Sequence, residues 1–190
     1  MPNQNKNPKQ EHLDSRIPTS IFFDIDEIAD HTIDLPHMLP SEEDFIKHME
    51  RLQVRRTDNI ICYDNVGIFS SPRVAWTMRF FGAEKVRILN GGFKKWVAEK
   101  RKTESGPSSS DHLEKGGDYK YKVVDEENVV RNLKDMHNMV YYVVNNVLTT
   151  QIVDARSAAR FNGEVDEPRK GLRRGKISGS KNVFFNDLVD

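Results

Sequence analysis

The chain has 190 residues, 37% of them hydrophobic, with 29 basic side chains balanced by 29 acidic ones. That length holds one full domain, or one plus part of another, and the balanced charge provides no global field for nucleic acid or a membrane surface. No apolar run approaches a membrane span, and the single cysteine, Cys62, excludes an internal disulfide and a multi-cysteine zinc site and suits a reducing compartment.

Residues 1–15 are polar and rich in Asn, Gln and Lys, which predicts a disordered or extended arm. The arm has neither the apolar core of a signal peptide nor a basic amphipathic pattern, and Glu11 and Asp14 count against a mitochondrial presequence. Ile21–Phe23 reads as a short strand, and Asp24–Ala29 as a helical turn leading into a loop that reaches Pro40. Ser41, with Glu43 and Asp44 behind it, opens a helix in the manner of a capping box, with Phe45, Ile46, Met49 and Leu52 on its buried face. Ile60–Tyr63, Pro72–Phe81, Val86–Leu89 and Phe93–Ala98 then alternate as strand, helix, strand and helix. That alternation predicts an α/β fold with a parallel sheet flanked by helices.

Between Tyr63 and Pro72 lies a small polar loop, DNVGIFSS, in the place where such units carry their chemistry: the carboxyl end of a strand, facing a helix N-terminus. It contains no cysteine and no histidine. Cys62 itself falls on the strand, where the expected reading is a buried and inert core thiol. Lys100–Gly117 is charged and then rich in Ser, Pro and Gly, as a linker is. Beyond it, Tyr119–Val124 is expected as a strand, Asp125 as the cap of a helix running to Met136, and Met139–Val144, aromatic and β-branched, as a further strand. Ile152–Asp154 reads as a short buried strand before a helical start at Ser157–Phe161. The six histidines show no metal spacing, Trp76 and Trp96 fall on apolar helix faces, and Asn90–Gly92 is too short for a nucleotide fingerprint.

One pattern occurs twice. Arg16 begins RIPTS followed by IFFDID, and Lys176 begins KISGSKNVFFNDL. Both have a basic residue, an isoleucine, a turn, a serine and a phenylalanine pair, about one domain length apart, which suggests two homologous domains in tandem. The second copy is preceded by a lead-in strand and helix at Ile152–Phe161, and the first copy has no such strand before it.

The segments IPTSIFFDIDEIADHTIDLPHMLPSEEDF, GIFSSPRVAWTMRFFG and LNGGFKKW resemble the first domain of the two-domain sulfurtransferases, thiosulfate sulfurtransferase (rhodanese) and 3-mercaptopyruvate sulfurtransferase. VDARSAARFNGEVDEPRKGLRRGKISG resembles the start of the second domain of that family. The resemblance covers roughly residues 16–100 and 151–190. It implies a non-catalytic rhodanese-like domain over 16–100, a linker over 101–118, and linker elements with an incomplete second rhodanese-like domain over 119–190. In the family a cysteine persulfide carries the sulfur, and no metal or cofactor is implied. Asp64 stands at the nucleophile position of the first loop, and a carboxylate forms no persulfide. Arg160 and Arg169 match the positions that hold the donor's anionic group. Asp154 and Arg156 match a strand-end Asp-x-Arg read as structural. Thr19 and Ser178 depart from the family's turn pattern and are expected to reshape both turns.

The function implied first is a pseudoenzyme, acting as a structural or interaction subunit whose partner, or larger assembly, covers the incomplete second domain. The alternative is an active sulfurtransferase working through Cys62, or through a partner chain that supplies the catalytic half and binds a small sulfur-donor anion. A third arrangement has Ile152–Asp154 completing the sheet of the first domain. The resemblance implies a mitochondrial setting, with the cytoplasm as the alternative.

Overall fold

The computed structural model describes residues 7–107, 117–124, 129–145, 147 and 150–189. The chain divides into two compact units, residues 1–126 and 127–190. Its parallel strand pairs flanked by helices are the expected α/β architecture.

The first unit opens on α1 (Pro8–Asp14), within the segment expected to be a disordered arm. Asn7 caps it by accepting the Gln10 N–H at 3.1 Å, and Pro8 occupies the first turn, where its missing N–H costs nothing. Arg16, 3% exposed, anchors the arm. Its Nε meets Glu104 Oε1 at 2.9 Å, and its Nη atoms donate to the carbonyls of His12, Gly106 and Pro107 at 3.3, 2.6 and 3.2 Å. A buried guanidinium needs acceptors, and these carbonyls hold the arm against residues 104–107, the beginning of the expected linker.

Next comes α2 (Glu42–Leu52), capped by Ser41 Oγ and burying Phe45 and Met49. Strand β1 (Asn59–Cys62) runs parallel to β2 (Lys85–Ile88), with Ile60 opposite Val86 and Cys62 opposite Ile88. The crossover between them is α3 (Ser71–Phe80), and α4 (Gly92–Ala98) follows β2. Phe45 and Phe81, both fully buried, stack at 4.0 Å between ring centroids, and Tyr121 meets Phe45 edge-on at 5.1 Å.

Two expected strands of this unit make no ladder. Residues 119–124 instead cross the end of α3, where Lys122 N–H and Val124 N–H donate to the carbonyls of Phe81 and Phe80 at 3.0 and 2.9 Å. The last carbonyls of a helix lack partners within it, and this segment supplies them. Ile21–Phe23 is not paired with any strand among the described residues.

In the second unit, α5 (Leu133–Val144) takes in the Met139–Val144 segment expected as a strand. A complete capping box between Asn132 and Asp135 starts this helix, and its twelve residues outweigh the β propensity of the last six. Asp125, the expected cap, lies outside the described residues. Strand β3 (Val153–Asp154) pairs in parallel with β4 (Lys181–Asn182), so Ile152–Asp154 completes the sheet of its own unit and not that of the first. A one-turn helix, α6 (Ala158–Asn162), ends at Gly163, and a 3-10 turn spans Phe185–Leu188.

The repeated motif keeps its turn in both copies, contrary to the expected reshaping. Ser20 N–H donates to Ile17 C=O and Ser180 N–H to Ile177 C=O, each at 3.1 Å. The third residue is left-handed in both, with φ of 66° at Thr19 and 78° at Gly179. A type II turn requires that conformation, which a β-branched residue adopts only with strain. Glu104 Oε1 accepts the Thr19 N–H at 3.0 Å and helps to hold it there. Thr19→Gly should therefore stabilise the protein by about 1 kcal/mol, read as a higher urea midpoint at unchanged m-value.

Candidate functional site

The loop between β1 and α3 is organised by one carboxylate. Asp64 Oδ1 accepts the N–H groups of Val66 and Gly67 at 2.9 and 3.0 Å. Its Oδ2 accepts those of Phe69, Ser70 and Ser71 at 2.8, 3.0 and 3.0 Å. Five backbone donors thus converge on one anion at the N-terminus of α3, where the helix dipole also favours negative charge. Burial opposes ionisation of Asp64. The N–H groups of Phe69, Ser71 and Val66 outweigh it and hold the carboxyl below its ordinary range.

The turn before α4 closes the other side of the loop. Phe93 N–H donates to Asp64 C=O at 3.0 Å. A Cβ on Gly92 would lie 2.3 Å from Gly67 O and 2.7 Å from Asp64 O, so only glycine permits this approach. Gly92, at the start of α4, therefore acts as a clamp on the loop.

Cys62 lies on the covered face of the sheet and is 8% exposed. Burial pushes its thiol up to about 11, against a smaller opposing effect of Arg79. At neutral pH only about one such thiol in ten thousand is ionised, too few for a nucleophile.

In the second unit, Asp154, Arg156, Arg160 and Glu167 form one network. Arg156 reaches Asp154 through Nη2 at 2.5 Å, Glu167 through Nη1 at 2.7 Å, and Gly175 C=O through Nη2 at 2.7 Å. Arg160 donates to the same Glu167 through Nε at 3.2 Å and also through Nη2. The carboxylate is 6% exposed, and its hydrogen bond to Arg160, with the further charge of Arg156, holds it below the usual range. Asp154 is held low in the same way, first by Arg156.

Arg160 is therefore half engaged, with Nη1 unbonded among the described residues. Arg169 is exposed and joins neither this network nor any other ion pair among the described residues. Beside the network opens a cleft of about 520 Å³ lined by Asp154, Arg156, Arg173, Arg174, Gly175, Lys176 and Ile177. Arg174 pairs with Asp166, and Lys176 sits 4.2 Å over the ring of Phe161. The structure thus joins Arg160 to the expected structural pair and leaves Arg169 apart. Glu167, which binds two arginines, does not stand out in the sequence, where it is one acid among several in a charged loop. Among the described residues no group of three or more His, Cys, Asp or Glu could hold a metal ion, and no helix is long and apolar enough to cross a membrane.

Known proteins share this architecture. The family described as "Rhodanese-like domain" matches residues 7–99. Over 186 residues the chain is 41% identical to the 3-mercaptopyruvate sulfurtransferase of Escherichia coli (strain K12), covering 98% of this chain and 62% of the relative. The crystal structure of the Tum1 protein from Saccharomyces cerevisiae matches with a TM-score of 0.88 at 32% identity, over 100% of this chain and 62% of that one. A yeast mitochondrial complex I sub-stoichiometric sulfur transferase subunit, seen by cryo-EM, matches with a TM-score of 0.81 at 28% identity, over 99% of this chain and 65% of that one. The chain spans about three fifths of the length of the curated relatives it matches.

Two outcomes test the loop. Asp64→Asn removes the charge and turns an amide NH₂ toward backbone donors, so stability at neutral pH should fall by about 1–3 kcal/mol. The folded carboxyl titrates below its unfolded value of about 3.9, so its contribution is complete above that value and is lost as pH falls through the folded pKa. Urea midpoints of the wild type and the variant should converge as pH falls below about 4. Iodoacetamide should alkylate native Cys62 on the order of 100-fold more slowly than the unfolded chain, as counted by mass spectrometry.

Proposed function

The chain belongs to the rhodanese-like family of two-domain sulfurtransferases, and on that premise we propose that these 190 residues act as a structural or interaction subunit that does not itself carry sulfur. The observation that carries this reading is the state of the first loop. Sulfur transfer of this kind needs a thiolate that attacks a sulfane sulfur, forms an S–S bond and releases the donor's remainder as an anion. Asp64 offers only oxygen at that position, and its carboxylate already takes the five N–H groups that would otherwise face an incoming anion. Cys62, the only thiol in the sequence, is buried with a raised pKa, which weighs against sulfur transfer through it.

A second reading rests on the arginines. Among the described residues Arg160 keeps one guanidinium nitrogen unbonded and Arg169 is unpaired, and Arg156, Arg173, Arg174 and Lys176 line a cleft. Guanidinium groups suit the carboxylate or thiosulfonate of a small sulfur donor. In this reading a catalytic half on another polypeptide supplies the persulfide, and these residues help to hold the donor. Because one neighbour is a subunit of mitochondrial complex I, a mitochondrial assembly is the setting we propose for either reading.

Sulfur transfer to cyanide from thiosulfate and from 3-mercaptopyruvate is the test, with the purified chain and its Cys62→Ser variant side by side. Both are expected to run at the uncatalysed rate. Turnover by the wild type that disappears in Cys62→Ser would overturn the silent-subunit reading and assign the persulfide to Cys62.

A further inference from the structure

Asparagine followed by glycine occurs twice in the chain, at Asn90-Gly91 and at Asn162-Gly163. In both the glycine is left-handed, with φ of 77° at Gly91 and 78° at Gly163. An asparagine in this context carries its own reaction. The backbone nitrogen of the next residue, once deprotonated, attacks the side-chain Cγ, a five-membered ring closes, and the amide nitrogen leaves as ammonia. Glycine keeps the approach open because no Cβ stands beside the attacking nitrogen. The two dipeptides are identical, so their surroundings decide which one reacts.

At Asn162 both reacting groups are tied. Asn162 is the last residue of α6, and Gly163 closes that helix. Gly163 N–H donates to Arg160 C=O at 3.1 Å and Glu164 N–H to Ala159 C=O at 2.9 Å, the pairing of a Schellman cap. The Asn162 side chain donates through Nδ2 to Glu164 Oε1 at 3.0 Å. At Asn90 both groups are free. Among the described residues neither the Gly91 N–H nor the Asn90 side chain has a hydrogen-bond partner, and Asn90 is exposed. The turn around them is closed by Gly92 N–H donating to Leu89 C=O at 3.0 Å. The glycine is also obligatory, because a Cβ on Gly91 would lie 2.5 Å from Lys95 Cβ.

We propose that Asn90 is a site of spontaneous covalent modification, where a succinimide forms with Gly91 and opens to isoaspartate and aspartate. Ring closure forms the bond from the Gly91 nitrogen to Cγ and breaks the bond from Cγ to Nδ2. The Gly91 proton passes through solvent to the departing ammonia. Water then adds to one ring carbonyl and the bond from that carbon to the Gly91 nitrogen breaks. Attack at the main-chain carbonyl gives isoaspartate, attack at Cγ gives aspartate, and nothing is oxidised or reduced. Isoaspartate routes the backbone through Cβ and so adds one main-chain atom just before Gly91. Gly92 has no room for that shift, because its Cα already faces Gly67 O and Asp64 O at a distance that excludes a Cβ. The bond from Phe93 N–H to Asp64 C=O, 3.0 Å long, depends on the same register. Modification at Asn90 therefore loosens the loop that Asp64 organises. The α-carboxylate it exposes is the group that isoaspartyl O-methyltransferases esterify from a sulfonium methyl donor, which gives the class of enzyme that acts on the modified chain.

The test holds the full native chain in mildly alkaline buffer, digests samples with trypsin at intervals and maps them by mass spectrometry. The peptide Ile88–Lys94, ILNGGFK, should gain the mass of an NH₂-to-OH exchange. The peptide Phe161–Arg169, FNGEVDEPR, should convert at least about tenfold more slowly, the factor that one or two intact hydrogen bonds correspond to. In unfolding urea the two peptides should convert at similar rates. A protein isoaspartyl methyltransferase with S-adenosylmethionine should label the first peptide of the native chain and not the second. Asn90→Gln, whose longer side chain closes only a six-membered ring, should stay unlabelled. No mass gain at Asn90, equal rates in the native chain, faster conversion at Asn162, or a native difference that persists unchanged in urea would overturn the proposal. Amide exchange at Phe93 that is the same in fresh and modified chains would overturn the consequence for the loop.

Discussion

A carboxylate can be sunk into a strand-to-helix turn only if donors surround it, and five backbone N–H groups can converge on one point only if an acceptor sits there. Asp64 and its loop meet both conditions at once. The start of α3, the path of the loop and the close approach of Gly92 all derive from that match. In a sulfur-carrying loop the anion would be a thiolate or persulfide, and the donors would stabilise a species that comes and goes. Here the anion is part of the chain and is always present. The residue that opens the loop is also the residue that holds it together.

The same requirement that buried polar groups be satisfied shapes the rest of the molecule. Arg16 draws residues 104–107 onto the N-terminal helix because its guanidinium is buried and the nearby carbonyls are its acceptors. Glu167 gathers Arg156 and Arg160 because one buried carboxylate can serve two guanidinium groups. An arginine that is half spent on Glu167 is held in a fixed orientation, with one nitrogen unbonded among the described residues.

The internal repeat provides a control within one polypeptide. One turn, built on Pro18-Thr19 in one copy and on Ser178-Gly179 in the other, keeps its hydrogen bond and its left-handed third residue. Turn geometry therefore survives changes at both central positions, provided that something offsets the strain, as Glu104 does at Thr19. The segments after the turn differ, because a strand forms only where another strand lies beside it. Among the described residues Lys181–Asn182 has such a neighbour, and Ile21–Phe23 does not.

Local patterns were enough to read the order of β1, loop, α3, β2 and α4, the burial of Cys62 and the membership of the chain in its family, because caps, periodicity and motif residues lie within a few positions of one another. Asp64 could be seen from the sequence as a missing nucleophile, but its role as the anchor of the loop depends on donors that converge only when the chain turns. Met139–Val144 looks like strand by composition, yet a capping box several residues upstream makes it helix. The arm at Pro8–Asp14, the segment at residues 119–124 and the sharing of Glu167 were decided by partners distant in sequence: carbonyls near residue 105, the end of α3, and two arginines from a neighbouring strand end and helix. A buried polar group takes whichever partner the fold brings near it, and only the tertiary structure determines which one that is.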